Sequence, residues 1–422
     1  MIEGRTGSAM RRIGDCRQGV GVSAPRSTGA DDRGDNHAVQ RPWDAIVVGL
    51  GAMGMAAAWC LASRGARVLG IDRHQLGHDR GSSHGGSRIV RQAYFEHADY
   101  VPLLRRADEL WREIELASLT RLVHRCGVIY GGPNGSAVLA GVKASAQAYG
   151  IALERLTVAQ ASSRFSALEG CLERVDEFVL EPNAGFVRPE RAILAMAESA
   201  QWRGAHMRPG VRVDSWRARD GIIEVNAGGC TEVTQSLILT QGAWVGEFIA
   251  EAQSMVTNTR QVMAWVTPRT PTLCDEHSLP AFFIERESGV PIYGVPTATD
   301  QPGPLGVKIG FHGGGQPCHP DALDRTVTSE EREAFARALE RAVPGAAGSV
   351  NAAAVCMYSS TPDDHFVVDR VSTQARVFSA FGMGGHGFKF APVIGSALAD
   401  LAMVGRTSLP IGFLRKNRFA RG

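Results

Sequence analysis

No stretch of this chain is apolar for the roughly 18 to 20 residues that a bilayer-spanning helix requires, so nothing in it reads as a membrane segment. A charge imbalance is missing too. Lys and Arg number 45 against 43 Asp and Glu, a formal net charge of +2, which removes the strong field expected of a nucleic-acid or membrane-surface binder. There is no C-x-x-C pair. The eight cysteines (Cys16, Cys60, Cys126, Cys171, Cys230, Cys274, Cys318 and Cys356) stand singly, which counts against a disulfide framework and a metal site and fits a reducing cytoplasm. Residues 1–42 have no apolar core of the kind a secretory signal carries, and they mix Asp15, Asp31, Asp32 and Asp35 among their arginines. Such a segment buries too little apolar surface to offset its ordering entropy, so a disordered leader is expected there.

What is present is a chain of 422 residues, 44% of them hydrophobic, long enough for two domains or one composite one. Order is expected from Asp44. Ala45-Ile46-Val47-Val48 reads as a buried parallel strand, and Gly49-Leu50-Gly51-Ala52-Met53-Gly54 follows as a G-x-G-x-x-G. An alanine-rich helix over 55–63 ends at Gly65, and a second strand over 67–71 leads to Asp72. Each part has a mechanical reason. Gly49 permits the tight turn, Gly51 lets backbone approach a pyrophosphate, and Gly54 lets helix and strand pack closely. The helix N-terminus offers unpaired N–H groups to phosphates, and Asp72 stands where an acid accepts from a ribose. A dinucleotide site is predicted, without a choice between FAD and NAD.

The run Gly81-Ser82-Ser83-His84-Gly85-Gly86-Ser87-Arg88-Ile89-Val90-Arg91 is too glycine-rich for a helix and too polar for a core strand. Its N–H groups and hydroxyls suit phosphate or flavin carbonyls, and on a continuing helical turn Arg88 and Arg91 would share a side. A solvated basic loop is the plain alternative. Further on, Ile292-Tyr293-Gly294-Val295-Pro296 and the run over 306–312 read as strands, as do 261–266, 236–240 and a short piece at 211–213. Lys308 alternates with Val307 and Ile309, so it points to the opposite face. Spacing leaves two readings: an edge-strand lysine facing solvent, or a buried functional one. Ala354-Val355-Cys356-Met357-Tyr358 is a short apolar run whose thiol by default is a small buried hydrophobe. Gly382, Gly384, Gly385 and Gly387 then precede an alanine-rich helix, a pattern suited to backbone lying against a flat ring.

These segments resemble one family. Residues 81–91 with Gln92-Ala93-Tyr94, the Gly-x-Lys-x-Gly-x-His run ending at His312, and the Cys356 run with Thr361-Pro362-Asp363-Asp364-His365-Phe366 carry the likeness, together with Gly385-His386-Gly387-Phe388-Lys389-Phe390. They resemble the monomeric sarcosine oxidase and N-methyltryptophan oxidase family, flavoproteins of the D-amino-acid-oxidase-like fold. The likeness runs from Asp44 to about Phe419. Mild departures are Ser83-His84 where the family has two histidines, Ser87 for a threonine and Gly384 for a serine.

The resemblance implies an α/β fold in which a Rossmann-like FAD domain (43–123, 185–258 and 361–412) interleaves with a mixed-sheet substrate domain (124–184 and 259–360). It implies that FAD is held by the glycine turn with Ala52, Met53, Asp72 and Arg73, and by Gly81, Ser82, His84 and Arg88. Val213 near the adenine half, Gly242 and Trp244 in a second glycine turn, Met357, Gly385, Gly387 and Lys389 complete that set. Cys356 would carry the flavin covalently through a thioether. Arg91 and Lys389 would clamp the substrate carboxylate, Tyr293 and His312 would line the substrate cavity with Tyr358 and Arg88 close by, and Lys308 would promote reaction with O₂. The expected reaction oxidises a small N-methyl amino acid, releasing formaldehyde after imine hydrolysis and giving H₂O₂, in a cytoplasmic monomer with no nucleic-acid, membrane or metal partner. Met263-Ala264-Trp265, Pro280-Ala281-Phe282 and 312–316 look more like the N-methyltryptophan branch, whereas Met357-Tyr358 looks more like the sarcosine branch. A cyclic imino acid such as pipecolate, a dehydrogenase passing electrons to a carrier, and a non-catalytic flavoprotein subunit are the alternatives.

Overall fold

The computed structural model describes residues 41–298, 300 and 304–421; residues 1–40 of the expected leader lie outside them. Two large sheets organise the described chain. The first has six strands in the order Val367–Arg370, Val377–Phe381, Leu237–Leu239, Ala45–Val48, Val68–Asp72 and His206–Pro209. All neighbours run parallel except the outermost pair at the first edge. Ala45–Val48 is buried at every position, as expected of a central parallel strand covered on both faces. On one face Ala52–Ser63 packs against Ala391–Val404 and Pro189–Trp202. Close approach is possible because small residues meet: a Cβ on Gly395 would stand 2.5 Å from the backbone of Ala56. On the other face Val213, Ile223, Val225 and Ala227 of a three-stranded sheet pack against Ile46 and Leu69.

From Ala45–Val48 the chain builds outward through Val68–Asp72, whereas from Leu237–Leu239 it builds the opposite way. The carboxyl ends of these two neighbours therefore flank the topological switch point, where doubly wound sheets bind their ligands.

The second sheet has eight strands in the order Gly348–Ser360, Thr257–Pro268, Val307–Phe311, Ile292–Val295, Ala281–Ile284, Val128–Gly132, Glu177–Glu181 and Glu154–Leu156. Its side chains alternate as strand geometry requires. Ala264, Val266, Val307 and Ile309 join the core under helix Ser329–Ala342, whereas Met263, Trp265 and Cys356 cluster separately. A small sheet, Arg88–Val90 with Gly185–Val187 and Val123–His124, completes the basic segment's surroundings.

Several expectations change. Residues 88–90 form a strand, so Arg88 and Arg91 are not on a helical turn; the partner strand 185–187 satisfies backbone that the local sequence leaves open. The strand expected at 211–213 is Val213–Arg219, and the strand around Cys356 spans Gly348–Ser360. Lys308 is on an interior strand, between Thr257–Pro268 and Ile292–Val295, which excludes the edge-strand reading. Among the described residues no helix is long and apolar enough to cross a membrane.

Candidate active site

A single cleft enclosing about 2110 Å³ of empty space, its open mouth included, runs from the glycine turn to Lys389. Its length, from the backbone turn at Gly49 to the charged end at Arg91 and Lys389, suits a dinucleotide with a substrate beside it.

At the switch point the walls are backbone. Gly49 has φ +88°, and a Cβ there would stand 2.6 Å from the Thr240 carbonyl oxygen. A Cβ on Gly54 would stand 1.8 Å from the Gly49 oxygen, so Gly54 packs behind the wall and does not line it. Gly51 caps the helix with no side-chain hydrogen bond, and Ala52 N–H donates to Ser83 Oγ at 3.2 Å. The N–H groups of Gly51 and Met53 have no protein acceptor among the described residues, which leaves two donors at a helix N-terminus for an anionic ligand. Asp72 Oδ2 accepts from Leu50 N at 2.6 Å and Oδ1 from His74 N at 2.7 Å. The expected ribose acceptor therefore first orders the turn, with one lone pair left on each oxygen. Arg73 stacks 4.3 Å over Trp244, whose Nε1 donates to Asp321 at 2.8 Å. Gly81, Ser82, Val213, Gly242, Trp244, Met357, Gly385 and Gly387 all line the cleft. A Cβ on Gly385 would meet the Tyr358 ring at 2.4 Å, so glycine keeps that wall thin.

At the other end the walls carry charge. Arg91 donates to Glu96 Oε2 at 2.6 Å and to the Ala93 carbonyl at 3.1 Å, and its guanidinium lies 4.3 Å over both Tyr94 and Phe95. Burial alone would raise the Glu96 pKa, yet Arg91 holds it down at about 2. Lys389 Nζ donates to the His386 carbonyl at 2.6 Å; burial, then Arg91, pushes its pKa well down, against the pull of Glu96. Burial also lowers His312 and raises Tyr293 and Tyr358, so these three face the cleft uncharged near neutral pH. Cys356 Sγ lies 3.8 Å from Arg88 Nη2, which also donates to the Ser82 carbonyl at 3.0 Å.

Besides Gly54, two expected site residues stand off the wall. Lys308 is buried one layer back and donates to the carbonyl of Ser87, a wall residue, at 2.6 Å. His84 is buried with Nε2 unpartnered, and burial followed by the charges of Arg88 and Lys308 drives its pKa down to about 3. The Gly85 and Gly86 amides, expected to meet phosphate or flavin carbonyls, are taken by Glu190 instead. Sequence reasoning missed Glu96, Phe95, Tyr130 and Glu190. A glutamate directly after Pro189 at a helix start was a visible signal for Glu190, whereas nothing in spacing marks Tyr130.

The chain matches the FAD dependent oxidoreductase family model over residues 44–401. It is 39% identical to a monomeric sarcosine oxidase of Streptomyces avermitilis over 383 residues, covering 90% of this chain and 98% of that one. It is 33% identical to an N-methyl-L-tryptophan oxidase of Salmonella newport, covering 90% and 100%. Among solved structures, NikD, an amino acid oxidase of nikkomycin biosynthesis, superposes with a TM-score of 0.76 at 24% identity, covering 89% of this chain and 97% of that one. The L-proline dehydrogenase of P. horikoshii superposes with 0.75 at 21%, covering 90% and 98%. The last two speak for the fold alone, which is the D-amino-acid-oxidase-like one expected.

Proposed function

The chain belongs to the FAD dependent oxidoreductase family, and from that membership we propose that it oxidises a small N-methyl amino acid, of the sarcosine or N-methyl-L-tryptophan kind. FAD would be attached through Cys356 and O₂ would accept the electrons. The observation that carries this reading is the convergence in one cleft of orphan amide donors, the Cys356 thiol and the buried Arg91–Lys389 pair. The two relatives of both oxidase names, each above 30% identity, support the same chemistry.

FAD, when bound, would supply a two-electron acceptor for the C–H bond beside the amine, with O₂ as the final oxidant. The fit rests on the glycine turn, whose close backbone packing a Cβ at Gly49 or Gly54 would break. With Lys389 protonated, Arg91 and Lys389 bring two positive charges against the one negative charge of Glu96, which suits a single carboxylate; burial and Arg91 disfavour that proton in the empty site, and a bound carboxylate would favour it. The same cations disfavour an ammonium beside them, so the substrate amine sheds its proton and becomes able to react. Neutral His312, Tyr293 and Tyr358 supply donors and acceptors there without adding charge. Oxidation of an N-methyl amine gives an imine, and water splits it into formaldehyde and the demethylated amino acid. Arg88 lies beside the Cys356 sulfur, the atom that would form the thioether. Lys308 places an ammonium just behind the wall, where negative charge on reduced oxygen would be stabilised. The chain is read as a cytoplasmic monomer.

Peroxide release from the air-equilibrated protein tests the reaction, with sarcosine, N-methyl-L-tryptophan, N-methyl-L-alanine, L-pipecolate, L-proline and glycine as the panel. Strong peroxide with an N-methyl amino acid is expected; anaerobic bleaching without peroxide means a dehydrogenase and ends the oxidase reading. Intact mass tests the linkage: the unfolded chain should carry the added mass of FAD and Cys356→Ser should not.

A further inference from the structure

Gly85 and Gly86 have consecutive positive φ angles, +105° and +74°. At this turn the two successive N–H groups point to one carboxylate and form an anion-binding nest. The anion here belongs to the chain. Glu190 Oε1 accepts from Gly85 N at 2.5 Å and from Gly86 N at 3.1 Å, and Oε2 accepts from Gly86 N at 3.2 Å. Glu190 is the second residue of helix Pro189–Trp202, where a carboxylate also meets the helix dipole favourably. Arg188, just before that helix, donates to the Gly86 carbonyl at 3.4 Å, so the turn is gripped on both its amide and its carbonyl side. From the sheet side it is walled by Met263, whose Sδ would lie 2.4 Å from a Cβ on Gly85.

The next residue is Ser87, and its carbonyl gathers two cations: Lys308 Nζ at 2.6 Å and Arg88 Nη1 at 2.8 Å. We propose that Glu190 is a positioning residue for Lys308, holding the nest that aims the Ser87 carbonyl and supplying the carboxylate that offsets Arg88. The inference rests on the reading of Lys308 as the cation at which O₂ is reduced.

The charged or titratable groups facing Lys308 are Arg88 from strand Arg88–Val90, Glu190 from the helix, Cys356 from strand Gly348–Ser360 and His84 from the basic loop. Burial first and Arg88 second lower the Lys308 pKa, and Glu190 is the carboxylate that raises it. Lys308 is an ammonium below its own pKa, so Glu190 extends the charged form upward in pH. Without that carboxylate the proton is lost at lower pH, and the alkaline arm of any Lys308-dependent step moves down.

The test uses the full chain with its flavin, comparing the parent, Glu190→Gln, Lys308→Met and the double variant. Anaerobic reduction by substrate and reoxidation by O₂ are timed separately from acid to alkaline pH, and the denaturant midpoint of each protein is measured. Glu190→Gln should reduce at close to the parent rate. Its reoxidation should fall off about one pH unit lower than the parent's, reaching about tenfold slower above that point. In the denaturant series the two substitutions should be non-additive, because Glu190 has less to offset once the ammonium is gone. Additive midpoints, or a Glu190→Gln protein with the parent's reoxidation profile, overturn the proposal. Should Lys308→Met reoxidise at the parent rate, the oxygen reading fails while non-additive midpoints still uphold the Glu190–Lys308 link; a Glu190 that merely stiffens a loop moves neither the pH profile nor the coupling.

Discussion

The two ends of the cleft are made of different material. At the switch point the wall is main chain: Gly49 and Gly54 lie against Thr240 and against each other with no room for a methyl group, and the free donors are amides. At the other end the wall is side chain, with Arg91 and Glu96 holding each other's charge and Lys389 buried beside them. The first end is sensitive to volume and indifferent to side-chain identity. The second tolerates shape changes better than it tolerates loss of a charge.

The sharpest test of that contrast is volume at the backbone end. Gly54→Val puts its Cβ within 1.8 Å of the Gly49 oxygen and 2.5 Å of Thr240 Oγ1, an overpacking of about 3 kcal/mol or more. The purified protein should hold almost no flavin, read as the flavin-to-protein absorbance ratio; a normal ratio breaks the comparison. Next comes charge behind the other wall. Lys308→Met should slow reoxidation by O₂ roughly 100- to 1,000-fold while leaving anaerobic reduction near the parent rate. A variant that reoxidises as the parent does removes Lys308 from the chemistry. Lys389→Met keeps most of the volume and removes one charged donor, so KM for the preferred substrate should rise about 10- to 100-fold, from a charge-assisted bond of about 1.5–3 kcal/mol. A change in kcat with KM untouched would mean that Lys389 does not bind the ground-state carboxylate. The smallest effect is on the fold. Glu96 is held below its ordinary value of 4.5, at about 2. Its contribution to stability is present above 4.5 and is lost as pH falls toward about 2. Acid melts should show Glu96→Gln losing part of that slope, and identical slopes would mean the Arg91 pair contributes nothing measurable.

The same contrast explains what could be read from the chain. The backbone end is written locally: an apolar strand, three glycines and an acid lie within residues 45–72, and each has a steric or hydrogen-bonding reason to be where it is. Alternation placed Lys308 on the face away from Val307 and Ile309. Whether that face met solvent or protein depended on the pairing of Thr257–Pro268 and Ile292–Val295 around it, which no local pattern encodes. Residues 88–90 read as a polar loop because their strand partner, 185–187, is remote in sequence. Glu96 escaped notice for a related reason, as did the nest that Glu190 fills, of which only the glutamate's place at a helix start was visible. A carboxylate that satisfies a buried cation or a nest is marked by what surrounds it in space, and a glutamate in a polar stretch looks like any solvated one.

The arrangement of the six-stranded sheet also governs when the cleft can exist. Ala45–Val48 finds its neighbour in Leu237–Leu239, and that strand finds its own in Val377–Phe381. During synthesis the glycine turn leaves the ribosome first, without Thr240 beneath it and without Gly385 or Lys389 opposite. At about 5–20 residues per second, on the order of tens of seconds separate the emergence of Gly51 from that of Lys389. The nascent chain therefore spends that interval with the first half of a nucleotide site and no means of closing it. Flavin capture is a late event in this chain's biogenesis, and a translation stall before Lys389 would yield a chain that cannot keep its cofactor.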